Sequence, residues 1–110
     1  MKWAIDFYSE AVYGEFMQWP SKIKERLLRF VELMKEHGAN LGMPYTRALG
    51  DGLFELRVKA QEGIGRAFFC YVVNKRIIIL HGCIKKTQKT PLQELRLAKE
   101  RLKKVRNYEL

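Results

Sequence analysis

Apolar and polar residues follow two spacings along this chain, one typical of strands and one typical of helices. Residues 3–8 alternate between the two types, which predicts a short first strand. A weaker helical pattern covers residues 10–18. Residues 20–37 place apolar side chains at every third or fourth position, so they predict an amphipathic helix that ends before Gly38.

The middle of the chain favours strands. The glycine-rich stretch 38–52 is predicted to be a connecting loop. After it, one alternating run and two mostly apolar runs are separated by short turns, as in antiparallel hairpins. The three predicted strands cover residues 53–60, 66–73 and 76–84.

The last predicted helix begins with a recognisable start signal. Thr90 is a favoured N-cap residue, Pro91 suits the first helical position, and Gln93 completes a capping box. The element order predicts a single α+β domain over residues 1–110. In this domain a small, mainly antiparallel sheet, made of a short N-terminal strand and a three-strand meander, packs against two N-terminal helices and one C-terminal helix.

Charge changes this picture, because it is concentrated in the second half of the chain. The 110 residues have a formal net charge of +9. Residues 1–56 contribute −1, residues 57–84 contribute +4, and residues 85–110 contribute +6. A small domain with one basic region usually binds an anion, and nucleic acid is the first candidate.

Several other classes of protein are not expected. The longest apolar runs are far shorter than a membrane span, and no secretory pattern is visible. Cys70 and Cys83 lie within apolar runs, which favours reduced core residues in a cytoplasmic protein. Neither His37 nor His81 belongs to a cluster of metal-ligating residues, so we expect no metal and no cofactor.

The clearest candidate for chemistry is the basic segment between the last predicted strand and the last helix. It contains Lys85, Lys86 and Lys89 together with Thr87 and Thr90. Free N–H groups at the start of a helix, and the positive end of its dipole, favour an anion at this place. For the basic second half as a whole, the alternative interpretation is a solvated helix surface of lysine and arginine, above all over residues 96–106.

Two arginines extend this candidate site. Arg57 and Lys59 lie on the polar face of the first meander strand, and Arg66 begins the next strand. A guanidinium group can hold a phosphate with two parallel hydrogen bonds. Arg66 has a second interpretation, an ion pair with Glu55 across the hairpin.

Two further polar residues lie inside the apolar strands. Tyr71 and His81 fall on the odd-numbered face of their strands if the register is regular. Each is either a core residue with one hydrogen bond or a group that handles a proton beside the phosphate.

Several motifs occur together over most of the chain: Asp51-Gly52-Leu53-Phe54-Glu55-Leu56-Arg57, Gly65-Arg66, Tyr71, Leu80-His81-Gly82, Lys85-Lys86-Thr87-Gln88-Lys89-Thr90-Pro91 and Ala98. With these motifs the sequence resembles the phage-derived, HigB-like branch of the RelE/ParE superfamily, the toxins of type II toxin–antitoxin systems. One departure is Cys83, where the family more often has phenylalanine.

This resemblance implies a RelE-like fold and a metal-independent endoribonuclease that cleaves mRNA, usually on the translating ribosome. It implies that Arg57, Arg66 and Lys86 contact or stabilise the scissile phosphate. The 2′-hydroxyl then attacks in line, leaving a cyclic phosphate and a 5′-hydroxyl.

The resemblance also implies partners. A small helix-turn-helix antitoxin is expected, and operator DNA would be reached only through that antitoxin. Two alternatives to the nuclease stay open: a non-catalytic gyrase inhibitor of the ParE type, and an RNA-binding module without toxicity.

Overall fold

Five strands and three helices make up the part of the chain that the computed structural model describes, residues 2–38 and 46–109. The strands are β1 (Ala4–Phe7), β2 (Thr46–Gly50), β3 (Leu53–Ala60), β4 (Gly63–Val72) and β5 (Arg76–Lys85). The helices are α1 (Glu10–Met17), α2 (Ser21–His37) and α3 (Leu92–Glu109).

The strands form one mixed sheet in the order β1-β5-β4-β3-β2. Strand β1 runs parallel to β5, and all other neighbours are antiparallel. The predicted α+β class, the N-terminal strand and the three-strand meander are therefore confirmed.

Helices cover both faces of the sheet. On one face, α1 and α2 bury a large apolar cluster that includes Phe16, Leu27 and Phe69. On the other, α3 buries a smaller cluster through Ala98, Leu102 and Val105. We call these the α1/α2 face and the α3 face.

Strand β2 corrects the prediction of a loop over residues 38–52. It pairs with β3, and the turn between them has positive φ at Gly50, Asp51 and Gly52. Glycine adopts this backbone region without steric cost. The last two glycines of the stretch therefore make a hairpin turn, while residues 39–45 of the predicted loop lie outside the described residues.

A bulge in β5 corrects the predicted faces. Phe68 pairs with His81, but Phe69 pairs with Ile79, so Leu80 is an extra residue. An extra residue reverses the alternation of side chains beyond it. Leu80 and His81 both lie on the α3 face, whereas odd-numbered residues before the bulge, such as Ile79, lie on the α1/α2 face.

Candidate functional site

Three rows of side chains cross the α3 face where β3, β4 and β5 run side by side, and the first row continues onto β2. Residues paired across neighbouring strands lie on the same face, and their side chains adjoin. The first row contains Arg47, Glu55, Phe68 and His81; the second contains Arg57, Arg66 and Cys83; the third contains Lys59, Ile64 and Lys85.

Glu55 lies at the centre of this arrangement and is completely buried. Its Oε1 accepts hydrogen bonds from Nε of Arg57 at 2.9 Å and Nε of Arg47 at 3.2 Å. Burial alone would raise the pKa of Glu55. Hydrogen bonds from Thr90 and Arg57, and the charges of Arg57 and Arg47, outweigh burial and hold that pKa below its ordinary value.

Thr90 links this cluster to the segment before α3. Its hydroxyl donates to Oε2 of Glu55 at 2.6 Å and accepts from Nη2 of Arg57 at 3.2 Å and Nη2 of Arg47 at 3.3 Å. The prediction that Thr90 caps the last helix is wrong. Helix α3 begins at Leu92, and the carbonyl of Pro91 accepts a hydrogen bond from the Leu95 amide. The Thr90 hydroxyl bonds to Glu55 on the sheet and not to the helix.

Arg66 is also completely buried, beneath residues 86–90, which we call the basic loop. Its Nη2 donates to the carbonyl oxygens of Thr87 and Lys89, and its Nη1 donates to the carbonyl of Ile64. Its Nε lies 3.8 Å from Oε2 of Glu55 and has no hydrogen-bond partner. Burial, and then the charge of Arg57, lower the pKa of Arg66.

The lysines lie outside this buried cluster. Lys59, Lys85, Lys86 and Lys89 are exposed, as is Thr87. The side chain of Arg57 is 15% exposed and that of Arg47 is 42% exposed. The structure thus brings the predicted Arg57 and Arg66 together, with Lys85 in the next row and Lys86 in the loop above. The lysines are exposed and Arg57 is partly exposed, whereas Arg66 has no contact with solvent.

His81 forms a separate polar group under α3. Its Nε2 lies 2.8 Å from Oε1 of Glu94, and its Nδ1 lies 3.5 Å from Nη1 of Arg101. The ring also stacks on Phe68. Both ring nitrogens therefore face a polar partner, which favours the interpretation of His81 as a core residue that anchors α3.

Tyr71 lies away from the rows. It is on the α1/α2 side of the sheet, where its ring packs against Trp3 and Phe54. The bulge at Leu80 explains the separation, because it moves His81 to the opposite face from Tyr71. The predicted placement of these two residues on one face is wrong.

Cys83 adjoins Arg66 in the second row. Burial, and then the charge of Glu94, raise the pKa of its thiol to about 11, so it stays protonated.

Over residues 2–38 and 46–109, no group of three or more His, Cys, Asp or Glu could hold a metal ion. No helix in the same ranges is long and apolar enough to cross a membrane.

Arg47, Glu94 and Arg101 were not among the predicted site residues. Arg47 lay in the stretch predicted as a loop, so nothing placed it opposite Glu55. Glu94 and Arg101 reach His81 from α3, a contact between distant segments that no local pattern reveals.

Comparison with known proteins identifies the family. Residues 14–103 match the family described as phage derived protein Gp49-like (DUF891). The chain belongs to this phage-derived Gp49-like family. A search of curated protein sequences finds no match.

Solved structures share the fold of this Gp49-like chain. The archaeal RelE–RelB complex from Pyrococcus horikoshii OT3 matches with a TM-score of 0.59 and 16% identity, covering 81% of this chain and 100% of that chain. A double arginine-to-alanine variant of Escherichia coli toxin RelE in the free state matches with a TM-score of 0.60 and 13% identity, covering 96% and 99%. The resemblance to the RelE superfamily is thereby confirmed, and the fold is that of RelE.

Proposed function

We propose that this Gp49-like protein is the toxin of a type II toxin–antitoxin pair and cleaves mRNA as a metal-independent endoribonuclease, in association with the ribosome. One observation carries the proposal: exposed Lys59 and Lys85 lie on the same sheet face as the partly exposed Arg57, and exposed Lys86 follows Lys85 directly in the chain. Family membership and the RelE fold support it.

The charges at this surface suit a phosphodiester. The only carboxylate in the three rows, Glu55, already accepts from Arg47 and Arg57 and is shielded from solvent. Three guanidinium groups, those of Arg47, Arg57 and the buried Arg66, therefore share one negative charge, and an approaching phosphate meets a net positive surface. Positive groups fixed before the reaction stabilise charge that develops in the transition state.

The proposed reaction uses the RNA's own nucleophile. The 2′-hydroxyl oxygen attacks the adjacent phosphorus while the bond to the 5′-oxygen breaks, leaving a cyclic phosphate and a 5′-hydroxyl. One proton leaves the 2′-hydroxyl and one reaches the 5′-oxygen. Arg57, Lys85 and Lys86 stabilise the charge on the phosphate, with Lys86 nearest the transition-state charge.

Lys59, Thr87, Lys89 and Thr90 are the residues of the candidate site expected to bind nucleic acid without taking part in the reaction. For Lys59, Thr87 and Lys89 we retain this proposal, because their side chains are exposed beside the same surface. Arg66, Tyr71, His81 and Thr90 are not given a direct contact. Arg66 is covered, Tyr71 lies on the other face, and the polar groups of His81 and Thr90 face partners within the protein.

The proposed partners follow from the family and from one structural neighbour. The matching archaeal structure is a complex of RelE with RelB. By analogy, we propose a helix-turn-helix antitoxin for this chain, with operator DNA bound only through the antitoxin. Messenger RNA and ribosomes would be its targets in the cytoplasm.

The decisive experiment incubates purified protein with ribosomes and mRNA and maps the new 5′ ends. A parallel reaction uses ribosome-free RNA with excess chelator. We expect cleavage that leaves a cyclic phosphate and a 5′-hydroxyl and, on ribosome-free RNA, survives chelation. Loss of that cleavage with chelator contradicts the metal-independent mechanism. Intact RNA together with inhibited DNA gyrase would favour the non-catalytic alternative, and RNA binding without either effect would favour a simple binding module.

A further inference from the structure

The basic loop, residues 86–90, contains no helix or strand, yet two buried side chains hold it. Arg66 lies under its middle and donates to the carbonyl oxygens of Thr87 and Lys89. At its end, the Thr90 hydroxyl donates to the buried carboxylate of Glu55 at 2.6 Å. The loop is therefore attached to the sheet at two places.

We propose that Arg66, Glu55 and Thr90 form a clasp, a set of hydrogen bonds that fixes the basic loop to the sheet. The clasp positions Lys86 and Lys89 to contact phosphate groups. Arg66 acts on RNA through the loop and is a positioning residue. What the lysines contact rests on the proposed function, but the clasp itself is a property of the fold.

The burial of Arg66 is the first argument. Its side chain has no solvent exposure, and two of its nitrogens donate to backbone carbonyls. A phosphate can reach this guanidinium only after the loop has left. With the loop in place, the fork of Arg66 orders the backbone between Lys86 and Thr90.

The chemistry of Thr90 is the second argument. One hydroxyl both donates to Glu55 and accepts from Arg47 and Arg57, so it joins three charged groups to the end of the loop. Glu55 remains ionised because hydrogen bonds and positive charges lower its pKa despite its burial. Charge-assisted hydrogen bonds of this kind are stronger than neutral ones.

Preorganisation explains why a clasp would matter. Lysine side chains lose considerable freedom when they are held, and a small displacement of a catalytic group lowers the rate strongly. A loop whose backbone is already fixed to the sheet loses less conformational freedom when RNA binds. The clasp should therefore change the reaction rate more than it changes global stability.

Thr90→Val and Thr90→Ser test the clasp as a matched pair, because only the serine keeps the hydroxyl. Thr46→Val is the control, since Thr46 pairs with Leu56 and lies on the opposite face. Amide hydrogen exchange over residues 86–89, the single-turnover cleavage rate at saturating protein, and thermal unfolding are measured for each. Arg66→Lys, which keeps the charge but loses the planar fork, is a second variant.

For Thr90→Val we expect exchange of the loop amides to rise and the single-turnover rate to fall about tenfold or more. Thr90→Ser and Thr46→Val should resemble the wild type, and Arg66→Lys should resemble Thr90→Val. Loop exchange in Thr90→Val equal to the wild type, or equal losses in Thr90→Ser, would overturn the clasp. A wild type that cleaves no RNA refutes the proposed function, while loop exchange still decides the clasp.

Discussion

The two faces of the sheet are buried by different means. The α1/α2 face is closed by apolar side chains, with aromatic contacts such as Phe16 on Trp19 at 4.6 Å between ring centroids. The α3 face has a smaller apolar cluster, and next to it Glu55 and Arg66 are buried as ions. Apolar burial stabilises without directional constraints, whereas buried ions need partners at defined positions. The first face holds the fold together; the second can hold groups in place.

The apolar face should show the largest effect on stability. Phe16 is 1% exposed, and its ring lies so close to Gly82 that a side chain there would collide with it. Phe16→Ala should lower the free energy of unfolding by about 3–5 kcal/mol. Urea unfolding measures this loss, and the RNA cleavage rate per folded molecule should stay near the wild-type value. A large fall in that rate would show that the faces are not separate in function.

The charged face should show the largest effect on activity. Arg57→Ala should reduce the single-turnover cleavage rate on the order of 10²-fold, the scale of a lost transition-state donor. Arg57→Lys should not restore the rate, because an ammonium group cannot reproduce the planar fork. Growth arrest by the alanine variant at the wild-type level would remove Arg57 from the site.

The lysines of this face should differ from each other. Lys86→Ala should lower the single-turnover rate at saturating protein, since we assign it to transition-state charge. Lys89→Ala should weaken RNA binding and reduce its salt dependence by about one counterion, with little change in rate. Equal rate losses at saturation and unchanged affinity in both variants would contradict this division.

The smallest expected effect is a dependence of stability on pH. The pKa of Glu55 is lower in the folded chain than its ordinary value of 4.5. Its stabilising contribution should therefore be complete above the ordinary pKa and be lost as the pH falls through the lowered one. Thermal unfolding of the wild type and Glu55→Gln from neutral to acidic pH measures this. The difference in stability should stay constant near neutrality and shrink only in acid; shrinkage near neutrality would contradict the lowered pKa.

Local patterns in the sequence predicted most of the fold. The stripe that contains Leu27 and Met34 predicted α2, and both residues are buried as expected. The alternation in residues 53–60 likewise predicted β3. These elements were predictable because helix and strand periodicities depend on neighbouring residues alone.

Two local errors had physical causes. Gly50 and Gly52 belong to the hairpin turn around Asp51, but they were interpreted as part of the preceding loop. Strand β2 was therefore not predicted. The Thr90 hydroxyl can bond either to amides at the start of α3 or to side chains on the sheet. The buried charge of Glu55 favours the bond to the sheet. The contact of Thr90 with Glu55 joins distant segments of the chain, so no local pattern reveals it.

The sequence by itself determined the α+β class, the basic second half and the resemblance to the RelE superfamily, because composition, periodicity and motif spacing are properties of the chain alone. Only the tertiary structure decided that Arg66 lies under the basic loop, that Arg47 and Arg57 share Glu55, and that Tyr71 and His81 lie on opposite faces. The reason is that register, a one-residue bulge and the choice of partner for a buried charge depend on contacts between distant segments, and those contacts exist only once the sheet has formed.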